Sequence, residues 1–357
     1  MPDGKSLEAG NVVLQRVSAL KRSESILLLL SGGGSSLIAA PAGKITIFDK
    51  REAISHLMLA GADIFELNTV RKHLSLLKGG RLAAATAASV LTLVISDVPG
   101  DDVGTVASGL AMPDESSYAD ALDVLNKYGV TAPAVRRHIQ AGVCGQIPET
   151  PGSDDPLWHK VETRLIGTNM MLLEAAQEYW RGKGYQAIIL SDRIQGEARV
   201  VAREHAKIVE ALRASMRASH TRPLQYATEG VLDHLHNVKQ KDSRLVLLSG
   251  GETTVTVKGD GVGGRNQEFA LWLLSYLKQG GIWALSAGSD GVDGNSLAAG
   301  AWLRPDSWQR AEAHGLSVPQ FLLNNDSGSF FRVLGDDLVT GYSGNNLNDY
   351  RALVVDV

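Results

Sequence analysis

One cysteine, Cys144, occurs in 357 residues, so no intrachain disulfide is open to this chain. A lone thiol suits a reducing compartment, and a buried structural cysteine is expected rather than a nucleophile. Long apolar runs are also missing. The longest near the N-terminus is Ile26 to Leu30, strand-sized and far short of the ~20 residues that span a bilayer. The first residues lack the pattern of a secretory signal, and the protein is read as cytoplasmic, with no membrane partner. Basic clusters do not exceed short pairs such as Arg136-Arg137, and the net charge is -4 with a pI near 6.1. That balance argues against nucleic acid as a partner. None of the nine histidines has metal-ligand spacing, and His234 and His236 lie in a polar stretch without a nearby cysteine or carboxylate set. A zinc enzyme is not expected.

What is present fits small-molecule chemistry on a soluble globular scaffold. The length exceeds what one core usually supports, so two domains are expected. Residues 148–156 hold three prolines with Gly152, Asp154 and Asp155, and the boundary is placed near residue 158.

The stretch GDGVGGRNQEFALWLL at 259–274 sets an arginine, Arg265, between a four-glycine loop and an amphipathic helix. Upstream, TTVTV at 253–257 alternates as a half-buried strand does. Downstream, Phe269, Ala270, Leu273, Leu274 and Leu277 recur at helical spacing, and Gly280-Gly281 supplies a stop. A cation at a helix N-terminus opposes the macrodipole by about 0.3 to 1 kcal/mol, so something anionic is expected there. Gly263 and Gly264 would let the backbone approach a ligand, making loop, helix end and Arg265 an anion site. A glycine-rich turn with a solvated arginine is the plainer alternative.

Other motifs follow in chain order. A first helix spans about Leu7 to Leu20. ILLLL then runs into SGGGSS at 31–36, the form of a buried parallel strand covered on both faces, ending in a candidate phosphate cradle. The cradle is neither a Walker loop nor a dinucleotide fingerprint. Asp49 is read as the cap of a helix with face Ala53, Ile54, Leu57 and Met58. In ELNTVRKHLSLLKGGRLAAA, Asn68, Arg71, Lys72, His73 and Lys78 crowd together, either as a solvated helix face or as a substrate-facing one. The strand Val90 to Ile95 delivers Asp97, Asp101 and Asp102 to a turn with Pro99-Gly100, where Mg²⁺ coordination, proton abstraction and plain turn chemistry all remain open. Further on, LVLLSGGETT echoes LLLLSGGGSS, residues 220–243 read as a surface excursion, and Asp290 and Asp293 stand three apart in AGSDGVDGNS. NNDSGSFF at 324–331 and TGYSGNNLND at 340–349 read as loops, functional or simply turn-forming.

Taken in order, SGGGSSL, ELNTVRKHLSLLKGGRLA, SDVPGDDVGTVASG, LLSGGETTVTV, GGRNQEFAL, SAGSDGVDG and NDSGSFF resemble the MOFRL-type glycerate 2-kinases, a family often labelled hydroxypyruvate reductase. The resemblance implies an α/β protein: a Rossmann-like, mostly parallel sheet domain at 1–158, a second α/β MOFRL-containing domain at 159–357, and an active-site cleft between them. It implies that D-glycerate is phosphorylated on its 2-hydroxyl by ATP with Mg²⁺, in a monomer or homodimer. Arg265 takes the place of the family's catalytic arginine. Resemblance and loop readings together put substrate and nucleotide binding at Ser31, Gly32, Gly33, Gly34, Ser35, Asn68, Lys78, Gly263, Gly264, Asn266, Asp290, Asp293 and Asp326, with Asp97 and Asp102 as metal candidates. Three departures stand out. The family has a further N-terminal segment with a lysine in a Gly-Lys-Ala context, its TGPTGTNVNDL ending reads TGYSGNNLNDY here, and 220–243 is longer than the usual connection. A catalytically impaired relative that binds nucleotide or glycerate is one alternative. An NAD(P)H-dependent hydroxypyruvate reductase is the other, suggested by the G-x-G-x-x-G spacing of GDGVGG but lacking the acidic residue about 20 positions on that holds a ribose.

Overall fold

The computed structural model describes residues 2–98, 100–217, 244–278 and 281–355. The excursion read at 220–243, with His234 and His236, lies outside them, as do Pro99 and Gly280. The chain divides into two compact units, Met1–Ile166 and Gly167–Val357.

The first unit opens with α1 (Gly4–Ser18), which starts earlier than periodicity alone indicates because Asp3 and Ser6 form a reciprocal capping box. Strand β1 (Ser25–Leu30) pairs in parallel with β2 (Ser89–Ile95), and β3 (Val161–Gly167) completes a sheet of order β1-β2-β3. Strand β1 lies at the edge and is not covered on both faces as ILLLL suggested. Leu27 and Leu29 are 60% and 68% exposed, while Leu28 and Leu30 pack inward. Helix α2 (Gly34–Leu37) follows the glycine turn directly.

A helical layer then forms from α3 (Ile47–Leu59), α4 (Ile64–His73), the short α5 (Arg81–Ala84), α6 (Tyr118–Lys127) and α7 (Pro133–Val143). Its core holds Ala53, Leu57, Val70, Leu125 and Ile139. Thr46, not Asp49, is the N-cap of α3; Asp49 sits at the third helical position and completes the box by accepting from the Thr46 backbone. Cys144 follows α7 and is exposed, which corrects the expectation of a buried thiol. The proline-rich stretch packs against this unit. Asp114 N–H donates to Pro151 O, Glu149 accepts from Tyr118 N–H, and Trp158 Nε1 donates to Gly152 O.

The second unit runs α8 (Asn169–Gly182), β4 (Gln186–Glu197), α9 (Ala198–Arg217), β5 (Leu245–Thr254), α10 (Arg265–Leu277), β6 (Trp283–Gly288) and β7 (Gly300–Leu303). Helices α11 (Ser307–Ala313), α12 (Val318–Leu323) and α13 (Ser327–Leu334) precede β8 (Asp337–Leu338) and β9 (Asp349–Val355). The sheet order is β4-β5-β9-β6-β7-β8. Only β4 and β5 pair in parallel; β9 lies between β5 and β6, antiparallel to both. Here a continuous apolar strand is buried on both faces. Leu245 and Leu247 of β5 join a core with Phe269, Leu273 and Phe330, while Val246 and Leu248 face Leu173 of α8. The Ser249-Gly250-Gly251 segment stays inside β5, and the strand ends at Thr254, before the Val-Thr-Val continuation that alternation suggested. Gly250 is required because a Cβ there would lie 1.7 Å from Asn169 Oδ1. Among the described residues, no helix is long and apolar enough to cross a membrane.

Candidate functional site

Arg265 is the first residue of α10, with Gly264 as its cap. Its Nε donates to Asp349 Oδ1 at 2.8 Å and its Nη1 to Glu252 Oε1 at 2.6 Å. Asp349 is in turn bound by Asn266 Nδ2 at 2.8 Å and by the fully buried Arg351 at 2.6 Å. Burial acts against the guanidinium, but Asp349, Glu252 and Asp293 outweigh it and hold Arg265 above its ordinary value. The anion that the helix end demands is a carboxylate of the protein itself. Asp293 accepts from the backbone N–H of Asn266 at 2.9 Å and of Gln267 at 2.8 Å, so these donors are occupied rather than open to a ligand. Burial raises Asp293 to about 6, against the lowering effect of those two bonds.

The glycines of GDGVGG serve loop against loop. A Cβ on Gly264 would meet Asp293 C at 2.3 Å and Gly294 N at 2.4 Å, and one on Gly263, with φ +156°, would meet Ser327 Oγ at 2.4 Å. The neighbouring loops also template the segment by hydrogen bonds. Asn325 Oδ1 accepts from Lys258 N–H, Asp326 Oδ1 from Val262 N–H and Asn295 Oδ1 from Gly263 N–H. Asp326 is thereby a scaffold for the glycine loop. The segment 340–348 holds the Asp290 turn in the same way, through Ser343 N–H to Asp290 O and Leu347 N–H to Ser289 Oγ. A cavity of about 660 Å³ remains, lined by Gly263, Gly264, Arg265, Asp290 and Asp293, with Glu268 on its wall. Asn266 is buried beneath it.

The first unit has its own cavity, of about 500 Å³, where Gly32, Gly33, Ser35, Asn68 and Lys78 come together with Asp97. Ser31 and Gly34 belong to the same turn, with Ser31 O accepting from Gly34 N–H. Gly33 is left-handed at φ +77° with open space where a side chain would go. Lys78 is 3% exposed and donates to Ser35 O and Oγ. Ser35 Oγ lies 2.9 Å from Ser108 Oγ, which donates to Asn68 Oδ1 at 3.0 Å. Burial, with Lys50 and Arg71 adding to it, pushes Lys78 down to about 6. Burial and Arg71 push Lys50 down to about 7. The polar crowd of ELNTVRKHLSLLKGGRLAAA is therefore not a solvated face: Asn68 and Lys78 are buried at the cavity, and Lys72 pairs with Asp114 at 3.0 Å.

Asp97 and Asp102 occupy different surroundings. Asp97 lines the cavity, pressed against Gly32, and burial raises it. Asp102 accepts from Gly104 N–H at 3.0 Å and Thr105 Oγ1 at 2.8 Å, the contacts of an Asp-led turn. Among the described residues, no three His, Cys, Asp or Glu side chains gather as a metal ligand set.

Sequence reading passed over Lys50, Ser108, Glu252, Asp349 and Arg351. Three of these residues had a signal. Lys50 stands with Ala53, Ile54 and Leu57 at i, i+3, i+4 and i+7, a lysine on a buried stripe. Asp349 and Arg351 alternate with Leu353 and Val355 on one face of β9, charges on the side that faces the core.

The MOFRL family matches residues 245–349, and a domain of unknown function (DUF4147) matches residues 1–140. A protein of Agrobacterium vitis named "Putative hydroxypyruvate reductase" is 39% identical over 99% of this chain and 75% of its own. The D-glycerate 2-kinase of Thermotoga maritima is 38% identical over 98% of this chain and 76% of its own. The crystal structure of a glycerate kinase from Thermotoga maritima superposes with a TM-score of 0.85 at 36% identity, covering 100% of this chain and 79% of that one. With motifs, both units and nearly the whole length in common, the chain belongs to the MOFRL-type glycerate 2-kinase family.

Proposed function

We propose that this protein transfers the γ-phosphoryl group of ATP to the 2-hydroxyl of D-glycerate, giving 2-phospho-D-glycerate and ADP. The supporting observation is Arg265, oriented by Asp349 and Glu252 on the wall of a cavity, in a chain whose relatives include a D-glycerate 2-kinase. In such a transfer the 2-hydroxyl oxygen bonds to the γ-phosphorus and gives up its proton to solvent, the bond to the bridging oxygen breaks, and its electron pair leaves with ADP. Charge spreads over three equatorial oxygens. A guanidinium held by two carboxylates is already in place to stabilise that charge, and Nη2 takes no part in either bond of this cavity-lining side chain. Ser31, Gly32, Gly33, Gly34, Ser35, Asn68 and Lys78 are the proposed anion-binding group of the first unit. Gly263, Gly264, Asn266, Asp290, Asp293 and Asp326 build and line the Arg265 cavity.

Mg²⁺, when bound, would neutralise phosphate charge. Such an ion arrives on the nucleotide and needs only one or two carboxylates from the protein, which fits Asp97 on the cavity wall and Asp102 in the adjoining turn. The reductase reading has less support. The G-x-G-x-x-G glycines are packed against the 293–295 and 324–328 loops, and the helix N–H groups that would face a pyrophosphate are taken by Asp293. Cytoplasmic action as a monomer or homodimer completes the proposal.

The test offers glycerate with ATP beside hydroxypyruvate with NADH or NADPH, and separates 2-phosphoglycerate from the 3-isomer. Reduction of hydroxypyruvate without glycerate phosphorylation would overturn the kinase reading, and the 3-isomer as sole product would overturn the regiochemistry.

A further inference from the structure

The cavity of the first unit carries more positive charge than its sequence motifs announced. Lys50 and Arg51 reach it from α3, Arg71 from α4 and Lys78 from the turn beyond α4, against a single carboxylate, Asp97. With every lysine and arginine protonated, that is a formal excess of three positive charges. Lys50 is 4% exposed, and among the described residues its Nζ donates only to Leu74 O at 3.3 Å and has no ion partner. Such an arrangement is unfavourable in an empty pocket and becomes favourable when an anion of matching charge enters.

A second observation points the same way. Asn68 is 4% exposed and lines the cavity. Its Oδ1 accepts from Ser108 Oγ at 3.0 Å and from Arg71 Nη1 at 3.3 Å. Arginine can only donate, so the amide orientation is fixed, and Nδ2 is the atom left buried with no protein partner. A buried donor of this kind carries a desolvation cost until something accepts from it. Ser108, which holds the Asn68 oxygen, is kept there by left-handed backbone at Ala107 and Ser108, φ +51° and +57°.

We propose that this cavity is a polyphosphate pocket, in which Lys50, Arg71 and Lys78 hold phosphoryl oxygens and Asn68 Nδ2 donates to the same group. The identity of the ligand as the nucleotide rests on the kinase reading; the pocket itself does not. A diphosphate or triphosphate matches an excess of three charges, whereas the single carboxylate of glycerate would leave most of it uncompensated. Ile54, Met58 and Ile64 give the same cavity an apolar side that a nucleoside can cover. Proton uptake on binding is a consequence. In the empty pocket Lys78 and Lys50 are held at about 6 and about 7, by burial first and then by their cationic neighbours, and an anion beside them favours the charged forms. The groups facing them are Arg51, Arg71 and Asp97, the last with its own value raised by burial.

The experiment titrates the full chain by calorimetry with ADP, with inorganic tripolyphosphate and with D-glycerate, at pH 7.5, in two buffers of different ionisation enthalpy. ADP and tripolyphosphate are expected to bind with net proton uptake. Lys78→Met and Lys50→Met should each weaken both at least tenfold, leave glycerate affinity within twofold, and keep or raise the thermal midpoint, because each removes an amine that burial forces to give up its proton on folding. Binding of ADP and tripolyphosphate without proton uptake, or with unchanged affinity in both variants, overturns the pocket; so does no binding at all by the unaltered chain. The proton count needs no variant, so misfolding of one would not leave the question open. If tripolyphosphate binds as described but glycerate is never phosphorylated, the pocket stands and the kinase reading falls. If glycerate is phosphorylated with the KM for ATP unchanged in the lysine variants, the reverse holds.

Discussion

Asp349 fixes Arg265 through a 2.8 Å bond from Nε to Oδ1, and with its other oxygen it neutralises the buried Arg351 at 2.6 Å. The two arginines therefore depend on one carboxylate unequally. Arg265→Ala leaves Asp349 with Arg351, Asn266 and Thr253, and the lost side chain is already 29% exposed. Stability should change by about 1 kcal/mol or less, while phosphoryl transfer falls by about 10²- to 10³-fold, the usual effect of losing one preorganised transition-state donor. Asp349→Asn instead strands a buried guanidinium and should cost about 3 to 5 kcal/mol. Denaturant unfolding and kcat measured on both variants check the contrast, and near-normal turnover in Arg265→Ala would remove the residue from its catalytic role.

Arg265→Lys should restore little activity. Nε and Nη1 go to two different carboxylates, Asp349 and Glu252, and a single ammonium reproduces neither the fork nor the remaining edge. A kcat within threefold of the unaltered enzyme would show that charge alone suffices.

Gly264→Ala tests whether the glycine loop serves packing. Its φ of -152° suits any residue, so the obstacle is steric: the new Cβ falls on the backbone of Asp293 and Gly294. Displacing that loop withdraws the Asp293 carboxylate from the first turn of α10. A loss of about 1 to 3 kcal/mol is expected, with reduced turnover, whether or not ligand is present. A fully stable variant with selective loss of nucleotide affinity would instead place a ligand against Gly264.

The two metal candidates should part under substitution. Asp97→Asn is expected to weaken ADP binding measured with Mg²⁺ by about tenfold and to leave metal-free binding nearly unchanged, because Asp97 lines the cavity. Asp102→Asn disturbs the bonds from Gly104 and Thr105 and should cost about 0.5 to 1.5 kcal/mol of stability, with the smaller metal dependence. Equal effects with and without Mg²⁺ at Asp97 would make it architectural.

Much of this was legible in the chain because local rules and tertiary packing agree there. The α10 face from Phe269 to Leu277 and the turn that follows β1 are examples. The two apolar strands were not separable: ILLLL and LVLL are equally apolar, yet one is an edge strand with Leu27 and Leu29 exposed and the other is buried on both faces. The layers that cover the sheet decide this, and local periodicity carries no information about them. The anion at the head of α10 was anticipated, but not that Asp293, 28 positions beyond Arg265 in sequence, supplies it. Glycines at 263 and 264 signal close approach without saying to what. Asp349 escaped notice because it ends a loop rich in Asn, Ser and Gly, where one more polar residue looks like turn chemistry.

Glu268 gives the pH dependence its clearest sign. It is buried on the wall of the Arg265 cavity, and its Oε1 accepts from Trp272 Nε1 at 3.2 Å and Asn325 Nδ2 at 3.4 Å. Burial is the largest influence and raises it to about 7; the two hydrogen bonds lower it, while Asp293 and Glu197 raise it further. The unfolded chain has the ordinary value of 4.5. Between those values the folded state holds more protons than the unfolded one, so stability falls as pH rises through that window. The full penalty, of order 3 kcal/mol, is present above about pH 7 and absent below about pH 4.5. Glu268→Gln keeps an oxygen for Trp272 and Asn325 and removes the titration. The variant should therefore match the unaltered protein near pH 4.5 and exceed its thermal midpoint at pH 8. Asp293, raised to about 6 in the same direction, is present in both proteins, and removing its repulsion with Glu268 favours the variant at high pH, so it does not change the sign of the difference. A midpoint difference that stays constant from pH 4.5 to pH 8 would show that Glu268 titrates alike in the folded and unfolded chain.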